Sequence, residues 1–308
     1  MKIAVMGSGG VGGYFGARLA QSGCEVSFIA RGAHLAAMKE HGLKIESRLG
    51  DIHLPSVRVT DDPRTLDPVD LVLFSVKLWD TEAAARSLAP LVGPDTGIVS
   101  FQNGVQKDDI LKRLCGEKAV MGGVGYIATA IARPGVIRHT GTMQRLLFGE
   151  YDGRRSARAE AFLAACRRAG IDAELSADIR REVWEKFVFL VGLSGTTATM
   201  RLPIGPIREN PRTRAFLFDL MQEAVAVGRA HGVALAEDYA EKRLAFCDGL
   251  PPDMTSSLHH DLERGNPLEV EWLSGGVVHL GQQVGVPTPA NRAVWDILAL
   301  HAAGRMRG

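Results

Sequence analysis

The 308-residue sequence carries almost no net charge: 36 Lys and Arg stand against 35 Asp and Glu, a formal +1 at pH 7. No overall field is available to hold nucleic acid or an anionic membrane, so a basic site can exist only as a local pocket. Cysteine is scarce. Cys24, Cys115, Cys166 and Cys247 are scattered and none forms a C-x-x-C pair, so neither a thiolate zinc site nor a close redox pair is expected. Such thiols suit a reducing compartment, where they act as small buried hydrophobes. Long apolar runs are also missing, since residues 187–200 fall short of the roughly 20 a membrane helix needs. Lys2 ahead of apolar residues resembles a signal-peptide start, but Gly7, Gly9, Gly10, Gly12 and Gly13 interrupt that segment. These absences point to a cytoplasmic protein. What is present, 46% hydrophobic and 23% charged residues, is globular composition. The length suggests two domains at roughly 100–200 residues each.

The first half alternates β-rich runs with helical patterns. Lys2–Met6 reads K-I-A-V-M; residues 25–30, 71–76 and 97–101 are further runs rich in Val, Ile, Leu and Phe. Continuous rather than alternating hydrophobicity suits strands buried on both faces, as in a parallel sheet covered by helices. Glycines then punctuate residues 120–150, which read as antiparallel strands at 135–139 and 144–148. A helix near 157–169 and a short strand near 173–175 follow. Beyond Asp178 strand signals nearly vanish. Helical patterns cover 178–191, 212–231, 236–246, 255–263 and 269–284, and resume after Pro289. Asp178 and Thr255 sit at N-cap positions, and Gly232 and Gly285 at C-terminal stops. The expected fold is an α/β Rossmann-type N-terminal domain over residues 1–176, followed by an all-α C-terminal domain over 177–308.

Gly7-Ser8-Gly9-Gly10-Val11-Gly12 matches G-x-G-x-x-G between the first strand and the first helix. Such glycines permit a tight turn, close approach of a pyrophosphate and close helix–strand packing, while the helix N-terminus offers free N–H groups. The competing reading is a glycine-rich structural turn. Arg31 follows the second strand where an NAD-binding fold usually places an acid for the ribose 2′-hydroxyl. A guanidinium there suits a 2′-phosphate, so NADP(H) is expected; a solvated surface arginine is the plain alternative. Lys77 and Asn103 follow later strands, at the carboxyl edge where open parallel sheets bind ligands. Read locally, Lys77 is a solvated helix start and Asn103-Gly104 a turn.

These motifs, with Ser75-Val76-Lys77-Leu78-Trp79, Gln102-Asn103-Gly104-Val105, Glu182-Val183-Trp184-Glu185-Lys186, Ser256-Ser257-Leu258 and Leu268-Glu269-Val270-Glu271, occur in one order along the chain. In that order and spacing the chain resembles the ketopantoate reductases (2-dehydropantoate 2-reductases), NADPH-dependent enzymes with a 6-phosphogluconate-dehydrogenase-like fold. The resemblance covers nearly the whole chain. It implies Lys186 as general acid, Glu269 as a substrate-binding carboxylate, Ser257 as a contact for the substrate carboxylate, and Asn103 as a holder of substrate or nicotinamide. It implies reduction of 2-dehydropantoate to (R)-pantoate in pantothenate biosynthesis. Without the resemblance, Lys186 reads as a helix lysine paired with Glu182.

The sequence departs from the family at three places. Asparagines usual four and eight residues beyond the lysine are Leu190 and Ser194 here, and the asparagine usual before the paired serines is Met254. Ser194 is the polar residue left to line the substrate pocket. An apolar residue where a polar atom should be held can change selectivity by orders of magnitude. A related reductase of another small 2-keto acid is therefore the alternative, and a noncatalytic NADPH-binding sensor a third reading. The partner expected is a small 2-keto acid, with no nucleic acid and no membrane; the assembly state is open, a homodimer among the options. His259-His260 point about 100° apart on a helix and are not expected to bind a metal. Trp79, Trp184, Trp272 and Trp295 are expected in helix packing, with Trp184, beside Lys186, a candidate wall of the active site.

Overall fold

The computed structural model describes residues 1–305 and divides into two compact units. The first comprises residues 1–103 and 107–182; the second comprises 104–106 and the described residues from Val183 onward.

In the first unit ten strands form one sheet. They are β1 (Lys2–Met6), β2 (Glu25–Ile29), β3 (Leu43–Ser47), β4 (Ile52–Leu54), β5 (Arg58–Thr60), β6 (Val69–Phe74), β7 (Val92–Ser100), β8 (Val120–Arg133), β9 (Val136–Gly149) and β10 (Asp172–Leu175). Their order is β4-β3-β9-β8-β7-β6-β1-β2-β5, with β10 pairing β9. From β5 to β8 every pairing is parallel. The two strands expected at 135–139 and 144–148 are one, β9, in an antiparallel hairpin with β8. The sequence reading also missed β3, β4 and β5, whose runs are short and mostly half-buried or exposed.

The apolar run of β1 is continuous because both its faces are covered. Ile3 and Val5 enter one core with Tyr14, Phe15, Phe28 and Phe101, whereas Ala4 and Met6 enter another with Val72, Phe74, Leu88 and Leu111. Alternate side chains of a strand point to opposite faces. Helices α1 (Gly10–Gln21), α2 (Gly32–His41), α3 (Thr81–Arg86), α4 (Lys107–Cys115) and α5 (Ala157–Arg168) complete the unit.

Helix α6 (Ile179–Met200) begins in the first unit and enters the second at Val183. As expected, Asp178 caps it, its Oδ1 accepting the Arg181 N–H at 3.2 Å. The second unit is helical: α7 (Ile204–Glu209), α8 (Pro211–Ala230), α9 (Tyr239–Asp248), α10 (Ser257–Arg264), α11 (Ser274–Val284) and α12 (Pro289–Leu298). Trp184, Phe187, Val188 and Val191 of α6 recur at helical spacing and share a core with Leu217, Leu220, Met221 and Ala224 of α8. Two expectations are corrected here. The helix expected from Thr255 is capped by Ser256, which accepts the His259 N–H. The one expected over 269–284 opens as a 3-10 turn at Glu269–Glu271 before α11.

Candidate nucleotide and active site

The turn after β1 is held by its own backbone. Gly7 and Ser8 donate their N–H groups to the Ile29 carbonyl at 3.2 and 3.1 Å, tying the end of β1 to the end of β2. Gly7 has a φ of +92°, and a Cβ there would lie 2.7 Å from the Val76 nitrogen, so glycine is required twice over. A Cβ on Gly12 would sit 2.3 Å from the Gly7 carbonyl, and one on Gly10 2.7 Å from the Thr129 carbonyl of β8. Gly9 differs, because a Cβ there would meet nothing within 4 Å. Gly9 is also the N-cap of α1, and no side chain caps that helix. Open space before an uncapped helix N-terminus fits an anionic pyrophosphate, since N–H groups and the helix dipole both favour negative charge there.

Ser8 and Val11 face inward. The buried Ser8 hydroxyl donates to the Ile29 carbonyl at 3.1 Å, and Val11 packs on the core; both side chains shape the turn. Arg31 is the N-cap of α2, just past β2, with its side chain 73% exposed. Its Nη2 lies 2.6 Å from Oδ2 of Asp80. Lys77, exposed, precedes a 3-10 turn at Leu78–Asp80, with its ammonium 5.5 Å from the Trp79 ring centre. Trp79 is itself 38% exposed rather than packed in a core.

Asn103 ends the first unit's main segment, and the residues flanking it are fixed. Gln102 is buried, and its Nε2 donates to the Val76 carbonyl at 3.0 Å and to Thr81 Oγ1 at 2.8 Å. The loop carrying Asn103 is thus pinned to the loop carrying Lys77. Lys107, 1% exposed, extends its ammonium to the carbonyls of Ser100 (3.1 Å) and Gly123 (3.3 Å) and to Asp108 Oδ2 (2.7 Å). Tyr151 donates its hydroxyl to that same carboxylate oxygen at 2.6 Å, and burial with the neighbouring carboxylate pushes the phenol well above its ordinary value. A buried charge pair is tolerable when its remaining donors are satisfied in this way.

His34, in the first turn of α2, was also invisible to the sequence reading. Its Nε2 lies 2.9 Å from the Ser8 carbonyl, and its Nδ1 accepts the Gly135 N–H at 3.1 Å. An N–H donor at Nδ1 requires that nitrogen to be unprotonated, so Nε2 carries the proton. Burial lowers the pKa of this imidazole from 6.5, in keeping with the neutral form. One side chain thereby joins the glycine turn, α2 and the β8–β9 hairpin. The signals for His34, Gln102 and Lys107 are long-range contacts with backbone atoms, which no motif or periodicity encodes.

In the second unit, Lys186, Leu190 and Ser194 stand four residues apart on α6 and share a face. Lys186 and Leu190 are half-buried and Ser194 is buried. Ser257, exposed, is the first residue of α10, whereas Ser256 is buried. The Ser256 hydroxyl lies 2.9 Å from that of Thr197 on α6, and His259 Nδ1 donates to the Thr197 carbonyl at 2.7 Å. These contacts fasten α10 to α6. Glu269 opens the 3-10 turn before α11 and is half-buried. Trp184, proposed as a wall of the active site, is buried in the second unit's core, stacked on His231 and edge-on to Phe187. Among the described residues no group of three His, Cys, Asp or Glu side chains is placed to hold a metal, and no helix is long and apolar enough to cross a membrane. Burial raises the thiols of Cys115, Cys166 and Cys247, so none of these is poised as a thiolate.

A mostly parallel sheet with a glycine turn at its carboxyl edge, joined to a helical unit, defines the class: an α/β protein of Rossmann-like architecture with a helical C-terminal unit. Residues 3–153 match the model of ketopantoate reductase PanE/ApbA and residues 178–302 that of its C-terminal part. The chain belongs to the ketopantoate reductase PanE/ApbA family and is an oxidoreductase of that family. It is 32% identical to the 2-dehydropantoate 2-reductase of Mesorhizobium japonicum over 99% of both chains. The crystal structure of a PanE/ApbA family ketopantoate reductase from Ralstonia eutropha superposes with a TM-score of 0.89 at 34% identity, over 98% of each chain. D-mandelate dehydrogenase in complex with NADH and anilino(oxo)acetate shares the fold, with a TM-score of 0.89 at 20% identity over 98% of each chain.

Proposed function

We propose that this protein reduces a small branched 2-keto acid with NADPH, best represented by 2-dehydropantoate giving (R)-pantoate. The observation that carries the reading is the match to the family across both halves of the chain, with Lys186, the acid that the resemblance implies, on a regular helical face. The residues present fit the cofactor: Gly9 leaves room before an uncapped helix, and Arg31 closes the adjoining strand.

When bound, NADPH supplies the hydride. The Lys186 ammonium stabilises negative charge developing on the carbonyl oxygen and then donates its proton there, so that the ketone becomes an alcohol. Solvent returns the proton to the amine. Glu269 accepts a hydrogen bond from a substrate hydroxyl, Ser257 holds the carboxylate, Ser194 lines the pocket, and Asn103 orients substrate or nicotinamide. In binding the cofactor, Gly7, Gly10 and Gly12 shape the turn with Ser8 and Val11, Gly9 admits the pyrophosphate, Arg31 takes the 2′-phosphate, and Lys77 lines the rim.

A second reading is favoured by Leu190, Ser194 and Met254: the reaction is kept and the substrate is a different 2-keto acid. That a protein of the same fold binds anilino(oxo)acetate supports the breadth of this scaffold. The deciding experiment offers purified protein ketopantoate and a panel of branched and aromatic 2-keto acids, with NADPH and NADH in turn. Preferred turnover of ketopantoate with NADPH is the expected result. Turnover of another acid alone moves the assignment to the second reading, and none with any acid rejects the reductase.

A further inference from the structure

Asp80 occupies an N-cap position but does not act as a cap. It precedes α3, yet its carboxylate accepts no hydrogen bond from that helix. A capping aspartate ordinarily turns back to the free N–H groups of its own first turn. Here it reaches 49 positions along the chain to Arg31, with Oδ2 at 2.6 Å from Nη2. The two side chains stand on the turns that follow β2 and β6, the strands on either side of β1. Their ion pair therefore bridges the turns flanking Gly7–Gly12. The Asp80 side chain is 27% exposed and that of Arg31 73%, so the pair is open to water and to a ligand.

We infer that Asp80 is a specificity-determining residue that reads the ribose 2′ position together with Arg31. This rests on the proposed placing of a dinucleotide at the glycine turn. A 2′-phosphate seeks the guanidinium that Asp80 already holds. It must displace the carboxylate and then remain beside a like charge. A 2′-hydroxyl meets no such opposition, and Asp80 can accept its proton in a hydrogen bond, the task of the acidic residue usual in NAD-binding folds. The pair thus narrows the gap between NADPH and NADH that Arg31 alone would open.

Direct binding tests the inference without turnover. Dissociation constants of NADPH, NADH and the fragment 2′,5′-ADP are measured by titration calorimetry for wild type, Asp80→Asn and Asp80→Ser, the last retaining a side chain able to cap α3. Removing the carboxylate is expected to tighten NADPH and 2′,5′-ADP about two- to fivefold and to leave NADH unchanged or weaker, an exposed charge effect of ordinary size. The gain should shrink as salt is raised. An unchanged or lower NADPH-to-NADH preference in both variants overturns the inference, leaving Asp80 as a residue that merely orients Arg31. Wild type favouring NADH while both variants gain NADPH affinity would uphold Asp80 and reject the NADPH assignment. Failure of wild type to bind either dinucleotide rejects both.

Discussion

The glycine turn after β1 and the lysine-bearing face of α6 are built on opposite principles. In the turn, backbone presses on backbone: the Gly7 carbonyl stands where a Gly12 Cβ would be, and the Thr129 carbonyl where a Gly10 Cβ would be. The binding capacity proposed there resides in main-chain N–H groups, and a side chain at Gly7, Gly10 or Gly12 has no room. On α6 the backbone is a plain helix, and the chemistry proposed for it hangs on side chains four residues apart. Replacing a polar residue by leucine at position 190 asks nothing of that backbone. On the proposed reading the seat of the pyrophosphate is therefore fixed by packing, whereas the 2′ position and the substrate are read by side chains that can change one at a time. That difference explains how a chain retains the family's nucleotide turn while carrying Leu190, Ser194 and Met254 at expected asparagine positions.

The largest effect expected is at Lys186. If chemistry on α6 belongs to single side chains, Lys186→Ala should lower kcat by about 10²–10⁴-fold, the usual contribution of a positioned acid. The dissociation constant for NADPH should hardly change. Steady-state kinetics beside cofactor titration check this. A comparable loss of cofactor affinity would break the comparison, because the lysine would then belong to the nucleotide site.

Adjacent glycines sharpen it next. Gly10→Ala drives a methyl into the Thr129 carbonyl and should destabilise the fold by about 1–3 kcal/mol, visible as a lower Tm without ligand. Gly9→Ala meets open space at a φ of −73°, so its Tm should stay near that of wild type while cofactor affinity falls. Equal behaviour of the two variants would deny that Gly9 alone is reserved for the pyrophosphate.

Sequence legibility follows the same division. Lys2–Met6 and the glycine turn were readable because burial on both faces writes a continuous apolar run, and crowding writes glycine. The helices of the second unit were readable from apolar spacing, with ends displaced where Ser256 rather than Thr255 caps and where a 3-10 turn precedes α11. Strands β3 to β5 escaped because three to five residues carry too little pattern. The roles assigned to Lys186, Glu269 and Ser257 came from resemblance, since no spacing rule joins residues 70 or more positions apart. Asp80, Gln102, Lys107 and His34 escaped for a related reason: each acts on a partner from another turn or strand.

His34 gives the smallest effect and lies at the boundary between the two principles, being a side chain that stabilises the backbone of the turn. His34→Ala leaves the Ser8 carbonyl and the Gly135 N–H without this partner, a cost of about 1 kcal/mol where water can replace it and up to about 3 where it cannot. Cofactor affinity should weaken several-fold with little change in the KM for the keto acid. The pH dependence has a definite sign. Because burial lowers this pKa from 6.5, the folded protein binds the proton less readily than the unfolded chain. The stabilisation is present above pH 6.5 and is lost as pH falls through the folded pKa. Tm followed downward from neutral pH should therefore decline more steeply in wild type than in His34→Ala. Parallel declines would show that the imidazole is not held neutral between Ser8 and Gly135, and the turn would then owe its shape to its glycines alone.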